Sequence, residues 1–439
     1  MNILSSGFLK FFIKRKIIYS MRVLWISNII FPELCNKIGI PAPVVGGWMQ
    51  NCAMALSDKN EKLTLGVISF YNGKKMQIFR DTKIQYYLVP EHTTISKVYD
   101  KKLEEYLKQV YTDFQPDLVH IHGSEYGHSL AMVKACNNIN MIVSIQGLVS
   151  VYKNYYYGGL SDRDILSHIT LRDILRQDTL FDQKRRMAKR SEMELELLKS
   201  VNHVIGRTSW DQSCAWAINP MLHYHFCNET LRDGFYQHAW ELKSCVRHRI
   251  FLSQGQYPIK GLHQVVKALP LILREYPDTE VYVAGNNFYS NIPLYRKNGY
   301  ANYVEKLMDK MGVTEKIHFL GKLNEENMIE EYLKAHVFIC PSAIENSPNS
   351  VGEAQLLGTP VVASYVGGTM DMVENGVSGF LYRFEEISLM AEQVCNLFAN
   401  DNICQDISLA ERQVARGRHN KNTNALTMLQ IYKEVLGCC

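Results

Sequence analysis

Two glutamates, Glu345 and Glu353, lie in the segment PSAIENSPNSVGEAQLLGTPVVAS (341–364) with seven residues between them. The apolar run VFIC, a predicted strand, comes directly before this segment and ends at Pro341. The first glutamate therefore falls in the loop after that strand. GEAQLLG then begins a helix, and a helix N-terminus offers unpaired N–H groups and partial positive charge. Such a terminus suits a phosphate, and Glu353 in its first turn is able to accept hydrogen bonds from a ribose diol. The pattern predicts a site for a nucleotide that carries a hydroxyl-rich group facing Glu345.

A purely structural explanation fits the same residues. Ser350 and Glu353 have the S-x-x-E spacing of a helix capping box. Gly352 argues against this explanation, because glycine in a helix costs roughly 1 kcal/mol relative to alanine. A close approach of the backbone to a ligand would explain the glycine. At the level of sequence, both explanations stand.

Apolar runs alternate with helical patterns along most of the chain, which predicts an α/β protein built on parallel sheets. The alternation begins at Met21 and restarts after a break near 235–247. The predicted strands are 22–30, 62–70, 117–123, 140–147 and 200–210, followed by 248–255, 280–287, 316–323, 336–343, 359–368 and 378–384. Ligands of such sheets lie beyond the carboxyl ends of the strands, beside helix N-termini.

This division predicts two Rossmann-like domains that face each other across a cleft. We expect an N-terminal, acceptor-side domain over 21–240 and a C-terminal, nucleotide-binding domain over 241–439. The last helix is expected to pack back on the N-terminal domain. Residues 1–20 precede the fold-like pattern, and we expect them to be a dispensable extension.

The composition excludes several classes of protein. The 439 residues are 46% hydrophobic and 21% charged, which is ordinary for a globular protein. A formal charge of +4 is too small to indicate a nucleic-acid partner. Eleven cysteines without a C-x-x-C pair favour a reduced compartment, so we expect a cytoplasmic protein without a zinc site. No run of about 18 uncharged apolar residues predicts a membrane-spanning helix.

The segment ENSPNSVGEAQLLGTPVVASYVGGTMDMVENGVSGFLY (345–382) closely resembles the C-terminal signature of glycosyltransferase family 4. The two glutamates and the tail GTPVVAS…GG…E…G match in order, and a fainter likeness runs from Met21 over nearly all the chain. Members of that family have the GT-B fold of two facing Rossmann-like domains. They transfer a sugar from a nucleotide-diphosphate donor with retention of anomeric configuration, and they need no metal or other cofactor.

The resemblance assigns roles in the C-terminal half. Glu353 would bind the donor ribose and Glu345 the hydroxyls of the donor sugar. The backbone of Asn349, Ser350 and Val351 would meet the diphosphate. In SQGQYPIKG (253–261) Lys260 matches a lysine that clamps the diphosphate in the family; from sequence alone it is equally a solvated loop lysine.

One position departs from the family pattern. The arginine that accompanies the lysine falls on Gln254, and glutamine carries no charge to stabilise a leaving diphosphate. A non-catalytic protein that binds nucleotide or glycan on this fold therefore remains an alternative. A nicotinamide oxidoreductase is disfavoured, because no G-x-G-x-x-G follows a predicted strand.

The N-terminal half matches the family in two further places. Gly46 and Gly47 in VVGGWMQN correspond to its first glycine loop, although Gly-Gly is also an ordinary turn before a helix. In DLVHIHG, His122 matches the active-site histidine, with His120 on the same face of the strand as the second choice. Either histidine is also explained as an ordinary core residue. Arg207, at another strand-to-helix turn, is a weaker candidate for a phosphate contact.

Asp162-Arg163-Asp164 spells D-x-D, the metal motif of the other major glycosyltransferase fold. The motif should follow a buried strand, whereas here Ser161 precedes it in the manner of a helix cap. We interpret it as structural, and no metal is implied.

The run FDQKRRMAKR (181–190) places five basic residues within 184–190 of a helical stretch. A basic helical face is able to hold a peripheral protein on an anionic membrane, although a solvated helix explains it equally well. The expected partners are therefore a nucleotide sugar, a glycan or lipid-linked glycan acceptor, and the inner face of a membrane. The family resemblance suggests a role in cell-surface polysaccharide assembly.

Overall fold

The computed structural model describes residues 20–41, 47–59, 62–80, 83–91, 99–136, 139–285 and 292–438. Residues 1–19 of the expected extension and Gly46 lie outside this set.

The first sheet takes its strands from the N-terminal half of the chain. These are β1 (Met21–Ser27), β2 (Leu63–Tyr71), β3 (Gln77–Phe79), β4 (Gln85–Pro90), β5 (Leu118–His122), β6 (Met141–Ser144), β7 (His203–Gly206) and β8 (His223–Phe226). In the described residues their order is β3-β4-β2-β1-β5-β6-β7-β8. All neighbours are parallel except β3, which pairs antiparallel with β4. The apolar runs predicted β1, β2, β5, β6 and β7.

The second sheet is parallel throughout the described residues. It consists of β9 (Arg249–Leu252), β10 (Glu280–Ala284), β11 (Ile317–Gly321), β12 (Val337–Cys340), β13 (Val361–Ser364) and β14 (Phe380–Tyr382). The order is β11-β10-β9-β12-β13-β14. Each of these strands was predicted, with ends that extended too far into the following loops.

Helices cover both faces of the two sheets. They are α1 (Pro32–Ile38), α2 (Gly47–Lys59), α3 (Lys102–Phe114), α4 (Gly127–Ala135), α5 (Val149–Tyr152), α6 (Asp162–Ser167), α7 (Leu171–Arg176), α8 (Leu180–Ser200), α9 (Ser209–Ile218), α10 (Leu262–Glu275), α11 (Gly299–Met311), α12 (Glu325–Lys334), α13 (Asn349–Leu357), α14 (Ile387–Ala399), α15 (Asp401–Arg418) and α16 (Lys421–Val435).

Alternate residues of the central strands feed separate cores on the two faces of each sheet. In β1, Leu24 and Ile26 enter one core while Val23 and Trp25 enter the other. In β9, Phe251 likewise lies on the face opposite that of its neighbours. Strands that are buried on both sides read as continuous apolar runs, which is why the sequence predicted them.

The chain passes from the first sheet to the second between Phe226 and Arg249. It returns at its C-terminal end, where α16 packs against α2 beside the first sheet. The hydroxyl of Tyr432 accepts a hydrogen bond of 2.9 Å from Trp25 Nε1. The last helix therefore contributes to the core of the N-terminal half.

In the part of the chain that the structure describes, every helix is too short or too polar to span a bilayer.

Candidate active site

The loops that follow β9 and β12 lie side by side, because these two strands are neighbours in the sheet. The backbone N–H of Ala343 donates to the carbonyl of Ile259 at 2.8 Å and joins the loops. Gly261 has a φ of +72°, and a Cβ there would lie 1.6 Å from the carbonyl oxygen of Pro341. Only glycine allows the loops to approach so closely.

Lys260 and Glu345 form an ion pair across this junction. Lys260 Nζ lies 2.5 Å from Glu345 Oε1, which also accepts a bond of 2.7 Å from Ser342 Oγ. Burial disfavours the charge on Lys260, but the carboxylate of Glu345 outweighs it and raises the lysine pKa above its usual value. The site therefore holds a fixed ammonium at the carboxyl ends of two adjacent strands. The sequence singled out Lys260 and Glu345 separately and did not predict that they form an ion pair.

Glu353 pairs with an arginine that sequence analysis missed. Its Oε1 accepts from Arg232 Nε at 2.9 Å and from Nη2 at 2.7 Å. Burial raises the pKa of Glu353, and Arg232 opposes that rise. Both bonds fall on one carboxylate oxygen, which leaves Oε2 as an acceptor for a further donor. Arg232 lies in the connection between the sheets, where no local pattern marks it.

The capping-box explanation of Ser350 and Glu353 is wrong. α13 begins at Asn349 after Pro348, and no side chain caps it. The glycine also has a different cause from the one expected: a Cβ on Gly352 would lie 2.6 Å from His419 Nε2 and 3.0 Å from Leu231. Close packing of the protein itself, rather than of a ligand, requires Gly352.

The N-terminus of α13 presents the three residues assigned to the diphosphate. Asn349 and Ser350 are partly exposed, whereas the side chain of Val351 is fully buried. The N–H of Val351 already donates to the carbonyl of Pro348 at 3.0 Å. Binding of a phosphate at Val351 would thus compete with that internal bond, whereas Asn349 and Ser350 are the partly exposed first residues of the helix.

Gln254 is partly exposed and follows β9, on the same loop as Lys260. Its Cα lies 3.7 Å from the position that a Cβ of Gly285 would take, so it lies beside the loop after β10. Gly47, the other residue assigned to the donor, is the first residue of α2. Gln254, Gly47 and the α13 terminus all follow the carboxyl ends of strands.

The two candidate histidines of β5 stack on each other, with ring centroids 3.9 Å apart, but their surroundings differ. His120 Nδ1 contacts the hydroxyl of Tyr432 at 2.6 Å, and its Nε2 contacts Ser144 Oγ at 2.7 Å. Neither ring nitrogen of His122 has a hydrogen-bond partner among the described residues. His120 is therefore structural, and His122 has two nitrogens available.

His122 lines a small cavity of about 20 Å³ together with Trp48, Arg207 and Glu229. Burial lowers the pKa of His122 to about 3, so its imidazole is neutral at physiological pH. A neutral imidazole is suited to a hydrogen bond with a hydroxyl group rather than to an ionic contact.

Arg207 donates within the protein. Its Nη1 lies 2.5 Å from Glu229 Oε2, and its Nη2 donates to the carbonyls of Ile145 at 2.9 Å and Gln146 at 3.1 Å. The expected phosphate contact would have to share a guanidinium that is already engaged. Arg207 is therefore a buried structural residue beside His122.

Asn346 connects the two halves of the chain. The sequence singled out its neighbour Glu345 instead. Asn346 is 1% exposed, its Oδ1 accepts from Thr208 Oγ1 at 2.8 Å, and its Nδ2 donates to Asp211 Oδ2 at 2.9 Å. Ser209 Oγ also donates to Asp371 at 2.9 Å. These bonds hold the loop after β12 against the start of α9, so both sheets contribute to one site.

The D-x-D motif is structural, as predicted. Ser161 caps α6, its Oγ accepts from the N–H of Asp164 at 3.1 Å, and Asp164 completes the capping box. Over the described ranges, no group of three or more histidines, cysteines or acidic residues is placed to hold a metal ion.

The C-terminal half of the chain is similar to known proteins. Residues 240–414 match the family model of the glycosyl transferases group 1. A D-inositol 3-phosphate glycosyltransferase of Corynebacterium urealyticum is 28% identical over 178 residues, which are 40% of this chain and 41% of that protein. Spore coat protein SA of Bacillus subtilis is 26% identical over 180 residues, 40% of this chain and 46% of its own. The match thus spans less than half the length of these curated relatives.

Solved structures resemble the whole chain. A sucrose-phosphate synthase from Thermosynechococcus elongatus superimposes with a TM-score of 0.69 at 15% identity, covering 95% of this chain and all (100%) of that one. HepE of Anabaena, solved in complex with UDP and glucose, gives a TM-score of 0.63 at 16% identity over 94% of this chain and 100% of its own. At such identities the likeness establishes the fold, which is GT-B. The chain thus has the GT-B fold, and its residues 240–414 match the model of the glycosyl transferases group 1.

Proposed function

We propose that this protein is a retaining, metal-independent glycosyltransferase of family 4. It transfers a sugar from a nucleoside-diphosphate donor to a glycan or lipid-linked glycan acceptor, in cell-surface polysaccharide biosynthesis. The observation that carries the proposal is the convergence of Lys260, Glu345 and Glu353 around the start of α13. These groups lie beyond the carboxyl ends of the strands, inside the segment that matches the transferase family.

The site supplies each function that the reaction needs. The bond between the anomeric carbon and the diphosphate oxygen breaks while an acceptor hydroxyl oxygen attacks the same face of the sugar. The acceptor proton passes to the departing phosphate oxygen, so the products are a glycoside and a nucleoside diphosphate. Lys260 stabilises the negative charge that develops on the leaving group, and Glu345 holds its ammonium in place beforehand.

The remaining residues position the donor. Glu353 accepts hydrogen bonds from the ribose through its Oε2, while Arg232 holds its Oε1. The N–H groups of Asn349 and Ser350 meet the diphosphate at the helix end. His122 stays neutral and bonds a hydroxyl of the sugar. No step calls for a metal or a cofactor.

A screen of nucleotides tests the donor site. Thermal shifts of the protein with UDP, GDP, ADP and their common sugars should reveal one preferred nucleotide, and UDP is the first candidate because HepE of Anabaena is solved with it. Glu353→Gln should lose most of that shift. A protein that is indifferent to every nucleotide would contradict the proposal.

A second experiment separates the enzyme from the non-catalytic alternative that Gln254 favours. Donor hydrolysis, or transfer to a mixture of glycans, is followed with the nucleotide sugar that the screen selects. Release of nucleoside diphosphate that Lys260→Ala abolishes supports catalysis. Tight nucleotide binding without turnover would support a binding protein on the same fold.

We also propose that the protein acts in the cytoplasm, at the inner face of a membrane. The ten described cysteines, Cys35 to Cys438, all carry free thiols, in keeping with a reduced compartment. Leu171, Ile174 and Leu175 of α7 are 71%, 61% and 75% exposed, and Arg176 at the end of the same helix is exposed as well. Apolar side chains flanked by cations suit an anionic bilayer surface.

Sedimentation with vesicles tests this membrane contact. The parent should sediment with vesicles that contain anionic lipid, and Ile174→Ser/Leu175→Ser should not. Equal sedimentation of parent and variant, or none by the parent, would count against the contact. Leu409→Ser, on a leucine that is 67% exposed on α15, is the matched control.

A further inference from the structure

The basic run of α8 borders a large cavity. About 810 Å³ of space lies between α8, the loop after β9 and the start of α11. Its walls include Tyr156, Arg186, Lys189, Arg190, Tyr257 and Tyr300. Three of the five basic residues in 184–190 thus border this cavity, whereas Arg185 is 73% exposed on its side chain and pairs with Asp182.

The charges that border the cavity are only partly compensated. Arg172 lies 2.9 Å from each of Asp173 and Asp178, and Arg186 also pairs with Asp178. Within the described ranges, Lys189 and Arg190 form no ion pair. Arg190 makes long hydrogen bonds, of 3.4 and 3.3 Å, to the backbone carbonyl of Glu125, and its charge opposes the rise that burial causes in the pKa of the Glu125 carboxyl group. Lys189, and in part Arg190, therefore remain for an anionic ligand.

The other walls suit a hydroxylated ring. Tyr156, Tyr257 and Tyr300 come from three separate elements, and Met187 and Met193 add apolar surface. Ligand sites generally combine aromatic and apolar walls with a few convergent polar groups that fix orientation. A lysine and an arginine beside such walls recognise a phosphate or a carboxylate by charge-assisted hydrogen bonds.

The cavity adjoins the donor site without coinciding with it. Tyr257, Pro258 and Ile259 line the cavity, and Lys260 is the next residue of the same loop. Glu345 and Glu353 do not line it. A ligand in the cavity would therefore lie next to the Lys260–Glu345 pair, on the side of α8.

We propose that this cavity is the acceptor site and that it takes an anionic glycan, whose phosphate or carboxylate group binds Lys189 and Arg190. The assignment as an acceptor site rests on the proposed function. The assignment as an anion-binding site rests on the geometry of the cavity alone. The basic run thereby gains a role in selecting substrate.

Calorimetric titration with three small probes tests the proposal. Glucose 6-phosphate and glucuronic acid carry the two anionic groups, and glucose is the neutral match. The parent should bind at least one anionic probe more tightly than glucose. Lys189→Gln/Arg190→Gln should weaken that binding by about tenfold or more, since two charge-assisted bonds are lost. Arg185→Gln removes one charge from the same helix outside the cavity and should leave binding unchanged.

Titrations repeated with saturating UDP locate the probe. Unchanged binding of the anionic probe supports a site separate from the donor site, whereas displacement by UDP would overturn the acceptor assignment. Equal affinity of the double variant and the parent would overturn the role of Lys189 and Arg190. Lys189→Glu, a single substitution at an exposed position, should weaken binding in the same way and guards against misfolding of the double variant.

The same titrations separate this inference from the proposed function. If UDP itself fails to bind the parent while the anionic probe binds through Lys189 and Arg190, the donor site is at fault and the anion site is upheld. If UDP binds and no anionic probe does, the cavity assignment fails and the donor site is upheld.

Discussion

Lys260 Nζ lies 2.5 Å from Glu345 Oε1, although 85 residues separate the two in the chain. The contact exists because β9 and β12 are neighbours in the second sheet and each residue follows the carboxyl end of its strand. Glu345 is 8% exposed, so the pair is formed away from bulk water. The cation that would face a diphosphate is therefore oriented before any donor arrives.

Removal of the cation should act on the chemical step. Lys260→Ala is expected to lower kcat by about 10²–10³-fold, the usual effect of losing one preorganised group that stabilises developing charge. Glu345→Gln should also lower kcat chiefly, because in the proposed reaction this residue would contact the transferred sugar, and it holds Lys260 in place. Steady-state kinetics with the preferred donor measure both effects. Lys310→Ala, an exposed lysine at the end of α11, is the control and should match the parent.

A comparison of kinetics with melting temperature separates the catalytic role of this ion pair from a purely structural one. If Lys260→Ala and Glu345→Gln keep parental kinetics and only melt earlier, the pair is a structural ion pair and the catalytic assignment is wrong.

Substitution of Glu353 should weaken donor binding rather than slow the chemical step. Glu353→Gln is expected to raise the donor KM with little change in kcat, because a ribose contact is the same in the ground state and the transition state. Arg232→Gln should raise KM as well, since it frees a carboxylate that Arg232 now holds through two bonds. Donor KM and kcat for both variants check this. A fall in kcat at constant KM would place Glu353 at the reacting centre.

The uncharged Gln254 offers a gain-of-function test. Gln254→Arg restores the cation of the family pattern on the loop of Lys260 and should raise kcat. Each 1.4 kcal/mol of added stabilisation corresponds to about tenfold in rate. Arg207 is engaged with Glu229 and two carbonyls, so it does not supply that cation. Lys322→Arg, on an exposed lysine, controls for the added guanidinium. A parental kcat in Gln254→Arg would show that the missing charge is immaterial.

Buried histidines make folding sensitive to acid. Burial lowers the pKa of His263 to about 3, against 6.5 in an exposed histidine. The unfolded chain thus binds more protons below pH 6.5, and this contribution to stability is lost as the pH falls from 6.5 toward 3. The loss is at most about 1.4 kcal/mol per pH unit for one group.

Urea unfolding of a matched pair isolates this contribution. Between pH 6.5 and 5, His263→Gln should lose less unfolding free energy than the parent, while His223→Gln, on an exposed histidine, should follow the parent. Buried carboxyl groups with raised pKa, such as Glu411, act in the opposite sense and are common to all three proteins. Identical pH dependence in His263→Gln and the parent would refute the assignment.

The sequence predicted the parts of the fold that leave a local pattern. Strands buried on both faces appear as apolar runs, and the second sheet was found strand by strand. β8, HYHF at 223–226, was missed because a partly exposed edge strand of histidine and aromatic residues has no apolar run. Boundaries were overextended where apolar loop residues such as Ala343 are buried by tertiary contacts that periodicity does not register.

The site shows the same limit. Glu345, Glu353, Lys260 and His122 fall within local motifs and were predicted, but their partners come from distant segments. Arg232 is 121 residues from Glu353, and no local spacing joins them. The capping-box expectation failed for a related reason: the start of α13 is set by Pro348 and by packing against the connection between the sheets, which the four letters S-x-x-E do not encode.

The contact of Tyr432 with the first sheet predicts that the last helix stabilises the N-terminal half. Trp25 Nε1–H donates to the Tyr432 hydroxyl, which is also hydrogen-bonded to His120 Nδ1, and His120 Nε2 is hydrogen-bonded to Ser144 Oγ. Tyr432→Phe leaves the two flanking groups unpaired in the core and should lower the free energy of unfolding by about 1–3 kcal/mol. Tyr365→Phe, on a tyrosine that is 49% exposed, should have almost no effect. Urea unfolding followed by tryptophan fluorescence measures both, because Trp25 itself reports on the contact. A Tyr432→Phe protein as stable as the parent would mean that the polar chain adds nothing, and that α16 is held by its apolar residues alone.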